Sequence, residues 1–275
     1  MFYLLYNPLA CSGKAGKYLA KVEKLYKKNK VETTSYSVLD IKDYQEEIVS
    51  KLTVQDGLVI IGGDGTLNSL FELIDFKSVP CKIYLYRAGS GNDFARGHKG
   101  RLFEITDEIK DLPYSYVNGK HRYFINGTGI GMDAAVCKAV NDCNKEEGYL
   151  VTAYKTFRKF KPFHLELEID GELRVFENVF FFTCMNGKYF GGGMKIAPKA
   201  VRGDDHLDVM VIHAKSFRRI MPYIPLVFLG WHLPFKKLVT FIKAKDIKVI
   251  KSDYNVSQAD GEVTENTQTF EVHRY

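Results

Sequence analysis

The sequence predicts an α/β protein of two domains: an N-terminal domain built on a parallel sheet, then a C-terminal β-rich, sandwich-like domain. Three observations lead there. Strand-like apolar runs alternate with amphipathic helical runs as far as Leu112, the pattern of repeated βαβ units. Beyond it the runs shorten and are joined at Asn118-Gly119 and Asp170-Gly171, both strong hairpin signals. In the first part, three loops rich in glycine and small polar residues each follow a predicted strand.

Taken in order, "FYLLYN" predicts a first strand and residues 16–29 an amphipathic helix. "VETTSYSV" alternates as a strand, and 42–51 predicts a helix. "DGLVIIGG" reads as a buried strand, "TLNSLFELID" as a helix and "CKIYLY" as another strand. "YSYVNGKHRYFIN" and "FHLELEIDGELRVFENVFFFTCMN" predict hairpins, followed by strands at "LDVMVI", "DIKVIK" and "QTFEVH". Helices are expected near 132–140, 149–157 and 217–228. The boundary falls near residue 115, giving domains 1–115 and 116–275, with the C-terminal tail a candidate to pack back on the first. No Pro/Ser-rich linker, repeat or low-complexity segment intervenes, so close packing of the domains is expected.

The chain has 275 residues, 45% hydrophobic and 26% charged, the balance of a soluble globular protein. No apolar run approaches the roughly 18 uncharged residues of a membrane span. "MFYLLYNPLA" lacks the basic and long apolar regions of a signal peptide. Cys11, Cys81, Cys137, Cys143 and Cys184 form no CxxC pair, which argues against a disulfide framework or a zinc site and points to a reducing cytoplasm. The net charge of +6 suits anionic substrates, nucleic acid or an acidic membrane surface.

The loops carry the chemistry. The first is Asn7-Pro8-Leu9-Ala10-Cys11-Ser12-Gly13-Lys14, the second Gly62-Gly63-Asp64-Gly65-Thr66-Leu67-Asn68, the third Arg87-Ala88-Gly89-Ser90-Gly91-Asn92-Asp93. Strand ends of a parallel sheet share one edge, where glycine lets main-chain N–H groups face phosphate oxygens and helix N-termini add positive charge. Any one of these loops alone reads equally as a simple turn. GxxxxGK[ST] and GxGxxG are both absent, which argues against a Walker-type NTPase and weakens a dinucleotide fold. Asp64 is out of place in an anion site unless a cation intervenes, so a nucleotide–Mg²⁺ complex is expected.

"YNPLACSGK", "GGDGTLN" and "AGSGNDFAR" resemble the signature blocks of the diacylglycerol kinase catalytic-domain family, whose soluble bacterial members are related to sphingosine and ceramide kinases. "INGTGIGMDAAV", "MNGKYFGGGMKIAPKAVRGDDHLDVMVI" and "QADGEV" extend the resemblance through most of the chain. It implies an ATP- and Mg²⁺-dependent kinase acting on the hydroxyl of a neutral lipid, most simply diacylglycerol, in a cleft between an α/β nucleotide domain and a β-rich domain. Carried across, Asn7 to Gly13, Gly62 to Asn68, Ser90 and Asn92 contact the nucleotide, and Asp64 faces its phosphates through magnesium with Asp93 nearby. Glu262 accepts the proton of the lipid hydroxyl, supported by Asp260; on local sequence alone Asp260-Gly261 is an ordinary turn. A structural magnesium would fall on Asp205 with the carbonyls of Leu207 and Arg202. Family members often dimerise, which leaves a homodimer open.

Departures from the family pattern are Arg87 in place of a proline, Ser90 in place of threonine, and His206 at a glycine position beside the expected metal. The stretch 216–231, "SFRRIMPYIPLVFLGW", reads first as a buried helix of the second domain and alternatively as an interfacial element touching a membrane surface. "YKTFRKFKPFHL" is expected to be a solvated basic face, with nothing else pointing to nucleic acid, and His98, His121 and His164 surface or turn residues. Together these place the protein in the cytoplasm with peripheral membrane contact. Two other classes stay open on the sequence: an NAD kinase-like enzyme, which shares GGDGT, and a nucleotide-binding regulator without catalysis.

Overall fold

A computed structural model describes residues 1–89, 91–142 and 149–274; Ser90 and Cys143 lie outside the described residues, as do the side chains of Cys11 and Ser12. The chain falls into two compact units, Met1–Leu112 and Pro113–Tyr275.

The first unit runs β1 (Phe2–Tyr6), α1 (Ala10–Gly13), α2 (Ala15–Lys28), β2 (Thr33–Ser37), α3 (Tyr44–Glu47), β3 (Gly57–Gly62), α4 (Asp64–Phe71), β4 (Lys82–Arg87), β5 (Leu102–Glu104) and α5 (Thr106–Lys110). Its sheet has the order β2-β1-β3-β4-β5; the first four strands are parallel and β5 closes the edge antiparallel. All six residues of β3, "GLVIIG", are buried, as expected of a central strand covered on both faces. Val22 and Tyr26, one turn apart on α2, pack with Leu4, Val59, Ile61 and Tyr86, so α2 covers one face. The helix expected over 42–51 is only α3 followed by a 3₁₀ turn at Val49–Lys51. The β-branched pair Ile48-Val49 disfavours continuation, and both side chains are buried.

The second unit runs β6 (Tyr114–Val117), β7 (Lys120–Tyr123), β8 (Gly127–Gly131), α6 (Met132–Asp142), α7 (Tyr149–Lys159), β9 (Phe163–Ile169), β10 (Glu172–Met185), β11 (Leu207–His213), α8 (Phe217–Ile220), α9 (Ile224–Leu229), β12 (Val239–Ala244), β13 (Asp246–Ser252), β14 (Ser257–Ala259), β15 (Glu262–Thr264) and β16 (Phe270–His273). Its sheet follows β15-β14-β8-β10-β9-β13-β16-β6-β7, with β11 on β10 and β12 on β11, all antiparallel. The predicted hairpins form at their dipeptides: Asn118 and Gly119, and Asp170 and Gly171, all have positive φ. Strand β10 changes partner along its length, pairing β9 through 172–176 and β8 through 181–185 around a bulge at Asn178. Leu165, Leu167, Phe182, Val209, Ile247 and Phe270 fill the core between these strands. The C-terminal strand β16 lies between β13 and β6 of this same unit.

The helix expected over 217–228 is broken into α8, a 3₁₀ turn at Met221–Tyr223 and α9. Pro222 and Pro225 each open a new turn, because proline is excluded from a helix interior. Among the described residues, no helix is long and apolar enough to cross a membrane.

Candidate functional site

Strands β1, β3 and β4 are adjacent and parallel, so the loops after Tyr6, Gly62 and Arg87 leave the same edge of the first sheet. In the first loop the Asn7 side chain accepts from the Leu9 amide at 3.0 Å and its carbonyl from the Ala10 amide at 3.0 Å, turning the chain into α1. Leu9 is exposed.

The second and third loops are pressed together. A Cβ on Gly63 would lie 2.5 Å from the Cα of Gly89, and the reverse holds equally, so the two main chains touch where only glycine fits. The Ala88 amide donates to the Gly62 carbonyl at 2.8 Å. The space beside Gly62 is filled by the buried Thr66 side chain, and Leu67 is fully buried, so both of these residues pack rather than face outward. Around Gly65 nothing lies within 4 Å of a would-be Cβ; this is the open side of the loop.

Asp64 has a role that local sequence could not reveal. Its carboxylate accepts from the main-chain amides of Asp93 at 2.8 Å and Phe94 at 3.0 Å, holding the 3₁₀ turn Phe94–Gly97 against the second loop. The misplaced charge that predicts magnesium therefore has a structural explanation first. Asn92, at φ 53, is fastened to both main-chain groups of Gly89. Asp93 is buried and accepts from Arg96 at 3.1 Å. The Arg87 guanidinium donates to the carbonyls of Ala95 and His98, replacing the rigidity of a proline with a side-chain clamp. His98, expected to be a surface or turn residue, closes that turn, stacking on Phe103 at 4.1 Å and bonding Glu108 at 2.6 Å.

A Mg²⁺ carried by a nucleotide needs only one or two protein carboxylates, since phosphates and water complete its shell. Asp64 fits that need as a half-buried carboxylate at the mouth of the second loop. Nearby on α4, the buried Asn68 Oδ1 has no hydrogen-bond partner among the described residues, an acceptor left for a ligand-borne donor.

In the second unit the β14–β15 hairpin turns at Asp260 and Gly261, with φ 48 and 93. The Asp260 carboxylate accepts from the buried amides of Ile125 (2.6 Å), Asn126 (2.9 Å) and Gly127 (3.1 Å). From the other side, Arg202 donates to the Ile125 carbonyl at 3.3 Å and to Asn126 Oδ1 at 2.5 Å, while Asn186 donates to Ile125 at 3.1 Å. Gln258 accepts from the Gly261 amide at 2.9 Å and donates to Asp133 at 2.8 Å. Asp133 is buried, its second oxygen has no hydrogen-bond partner among the described residues, and burial pushes its carboxyl up to about 6. Held on all these sides, the turn presents Glu262 exposed at the start of β15. Asn126, Asn186, Gln258 and Asp133 all lie in the motif blocks, but their contacts were not legible there, because each acts through a residue far away in sequence.

Of the residues expected to hold a structural magnesium, Asp205 is engaged by neighbouring side chains. Asp205 is paired through one oxygen with His206 at 2.5 Å and through the other with Lys245 at 2.7 Å. Lys245 holds its carboxyl below the usual range. Among the described residues no group of three or more His, Cys, Asp or Glu gathers where a metal could sit.

A parallel-sheet unit with interlocked glycine loops, followed by an antiparallel β-rich unit, defines an NAD kinase/diacylglycerol kinase-like build. Residues 1–116 match the diacylglycerol kinase catalytic domain, and residues 127–272 match the YegS C-terminal NAD kinase beta sandwich-like domain. The chain belongs to the diacylglycerol kinase catalytic-domain family. It is 27% identical to a protein of Bacillus subtilis (strain 168) named as a candidate lipid kinase, YtlR, over 97% of this chain and 94% of that one. It is 24% identical to the diacylglycerol kinase of Bacillus subtilis (strain 168), over 94% of this chain and 88% of that one. A crystal structure of a diacylglycerol kinase from Bacillus anthracis str. Sterne superposes with a TM-score of 0.68, covering 99% of this chain and 93% of that one. At 22% identity this last likeness speaks for the fold.

Proposed function

We propose that the protein transfers the γ-phosphoryl group of ATP, carried as its Mg²⁺ complex, to the hydroxyl of diacylglycerol, forming phosphatidic acid. The observation that carries this reading is the set of three glycine-rich loops leaving one edge of the first sheet from adjacent strands. On this reading, main-chain groups of Asn7 to Gly13, Gly62 to Asn68 and the segment through Ser90 and Asn92 cradle the nucleotide, with Gly65 leaving the approach open. Asp64 and the Asn68 side-chain oxygen are the groups that would hold the Mg²⁺ carried by the phosphates. When bound, Mg²⁺ neutralises phosphate charge that builds up during transfer.

The exposed Glu262 takes the proton from the lipid hydroxyl as that oxygen bonds to the γ-phosphorus and the bond to the β-phosphate oxygen breaks, releasing ADP. Asp260 serves this chemistry by fixing the turn, since its carboxylate is engaged by the three amides of 125–127. The test is a product assay: purified protein, γ-labelled ATP, Mg²⁺ and a panel of diacylglycerols, monoacylglycerols and sphingoid bases in mixed micelles, read by mass spectrometry. Phosphatidic acid from the diacylglycerol arm is the expected result. No phospholipid in any arm would sink the proposal, and NADP formed from NAD would replace it.

A further inference from the structure

We infer that residues 215–237 form a surface that docks on an anionic phospholipid bilayer. The stretch expected to be a buried helix is half inside and half outside. Ile220 is buried, and Ile224, Val227 and Leu233 pack against the core formed by Met210, Ile212 and Ala214. The opposite face carries Met221 (50% exposed), Phe228 (49%), Leu229 (51%), Trp231 (65%) and Phe235 (37%). Met221, Pro225 and Phe228 recur at helical spacing, so this is a continuous outward stripe.

The stripe is rigidly held. Trp231 donates its main-chain N–H to Leu226 at 2.8 Å and Gly230 donates to Val227 at 3.1 Å, with Gly230 left-handed at φ 74. The next residue, His232, is buried and donates from Nε2 to the Ile196 carbonyl at 2.9 Å. The chain thus enters the core beside Trp231 while that indole stays outside. Phe235 rests edge-on against Tyr223 at 4.9 Å.

Charge identifies the occupant. Lys215, Arg218, Arg219, Lys236 and Lys237 are all exposed, and 215–237 contains no Asp or Glu. Apolar and aromatic side chains ringed by cations match an anionic lipid interface, where rings enter the headgroup boundary and lysine and arginine stay at the phosphates. A second copy of this chain would bring the same cations face to face, which like-charge repulsion disfavours. The inference stands on these residues, and gains its purpose from the proposed lipid substrate.

Trp231 is the sole tryptophan of the chain, so its fluorescence reports this surface alone. Titrating the protein with vesicles of phosphatidylglycerol and phosphatidylcholine is expected to shift its emission to shorter wavelength and to carry the protein into the floated fraction, with little effect from phosphatidylcholine alone. Each of Arg218→Gln, Arg219→Gln, Lys236→Gln and Lys237→Gln is expected to weaken partitioning about fivefold. Phe228→Ser with Leu229→Ser is expected to abolish the shift without moving the thermal transition, since both side chains are exposed. An unchanged spectrum, equal binding to neutral vesicles, or a shift arising instead from self-association at higher protein concentration would each overturn the inference. A parallel kinase assay on a short-chain, water-dispersed diacylglycerol separates the two proposals: activity lost there overturns the reaction, while vesicle binding is judged on its own.

Discussion

The glycine loops of the first unit and the Asp260 hairpin of the second use one device to different ends. In each, an aspartate accepts hydrogen bonds from consecutive main-chain amides of a distant segment. Asp64 takes those of Asp93 and Phe94; Asp260 takes those of Ile125, Asn126 and Gly127. Charge-assisted bonds to amides are among the stronger ones a fold can make, so both segments are firmly placed. They differ in what remains. Beside Asp64 lie an open glycine edge and an unpaired Asn68 oxygen, suited to receive a ligand; beyond Asp260 stands one exposed carboxylate, Glu262. Acidic residues that look chemically equivalent in a motif thus divide into those that hold and those that are free to react.

The largest test of that division is Glu262→Gln. Loss of a general base is expected to lower kcat by about 10²–10⁴-fold while leaving the thermal transition and the KM for ATP nearly unchanged. A normal kcat would remove Glu262 from the chemistry. Asp260→Ala should behave in the opposite way. It leaves three buried amides without acceptors and is expected to lower unfolding free energy by about 3 kcal/mol, measured by urea denaturation. If Asp260→Ala were as stable as the parent yet inactive, the roles assigned to the two acids would be reversed.

In the first unit the comparison turns on which glycines pack and which face outward. Gly63→Ala drives a methyl group into the Gly89 main chain and is expected to cost about 2–3 kcal/mol of stability. Gly65→Ala meets open space and should leave stability within about 0.5 kcal/mol, while raising the KM for ATP if phosphates approach there. Equal losses of stability from both variants would break the distinction.

Much of this architecture was legible in the sequence. The strand–helix alternation, the Asn118-Gly119 and Asp170-Gly171 turns and the glycine loops are local signals with local causes. What escaped notice depends on contacts between remote residues. Asp64 meets Asp93 and Phe94, Asp205 meets Lys245, and Asp133 meets Gln258; no motif encodes such pairs. The stretch 216–231 failed differently: it is apolar on both sides, so periodicity could not say which face the core would take. Its prolines set where the helix breaks.

The last prediction probes the support behind the Asp260 turn. Burial raises the Asp133 carboxyl from 3.8 to about 6. Between about pH 4 and pH 6 the folded protein keeps a proton at Asp133 that the unfolded chain has released. The native state then binds more protons than the unfolded one, so this residue makes stability fall as pH rises through that window and stay lower above it. Asp133→Asn retains an oxygen to accept from Gln258 but cannot ionise. Subtracting the variant's profile of unfolding free energy against pH from that of the parent isolates Asp133 from other titrating groups. The difference is expected to be near zero below pH 4 and to favour the variant by about 3 kcal/mol at pH 7, at about 1.4 kcal/mol per pKa unit. A flat difference would mean that Asp133 is solvated in the folded protein, and that Gln258 and the turn at Gly261 lean on a charged rather than a neutral carboxyl.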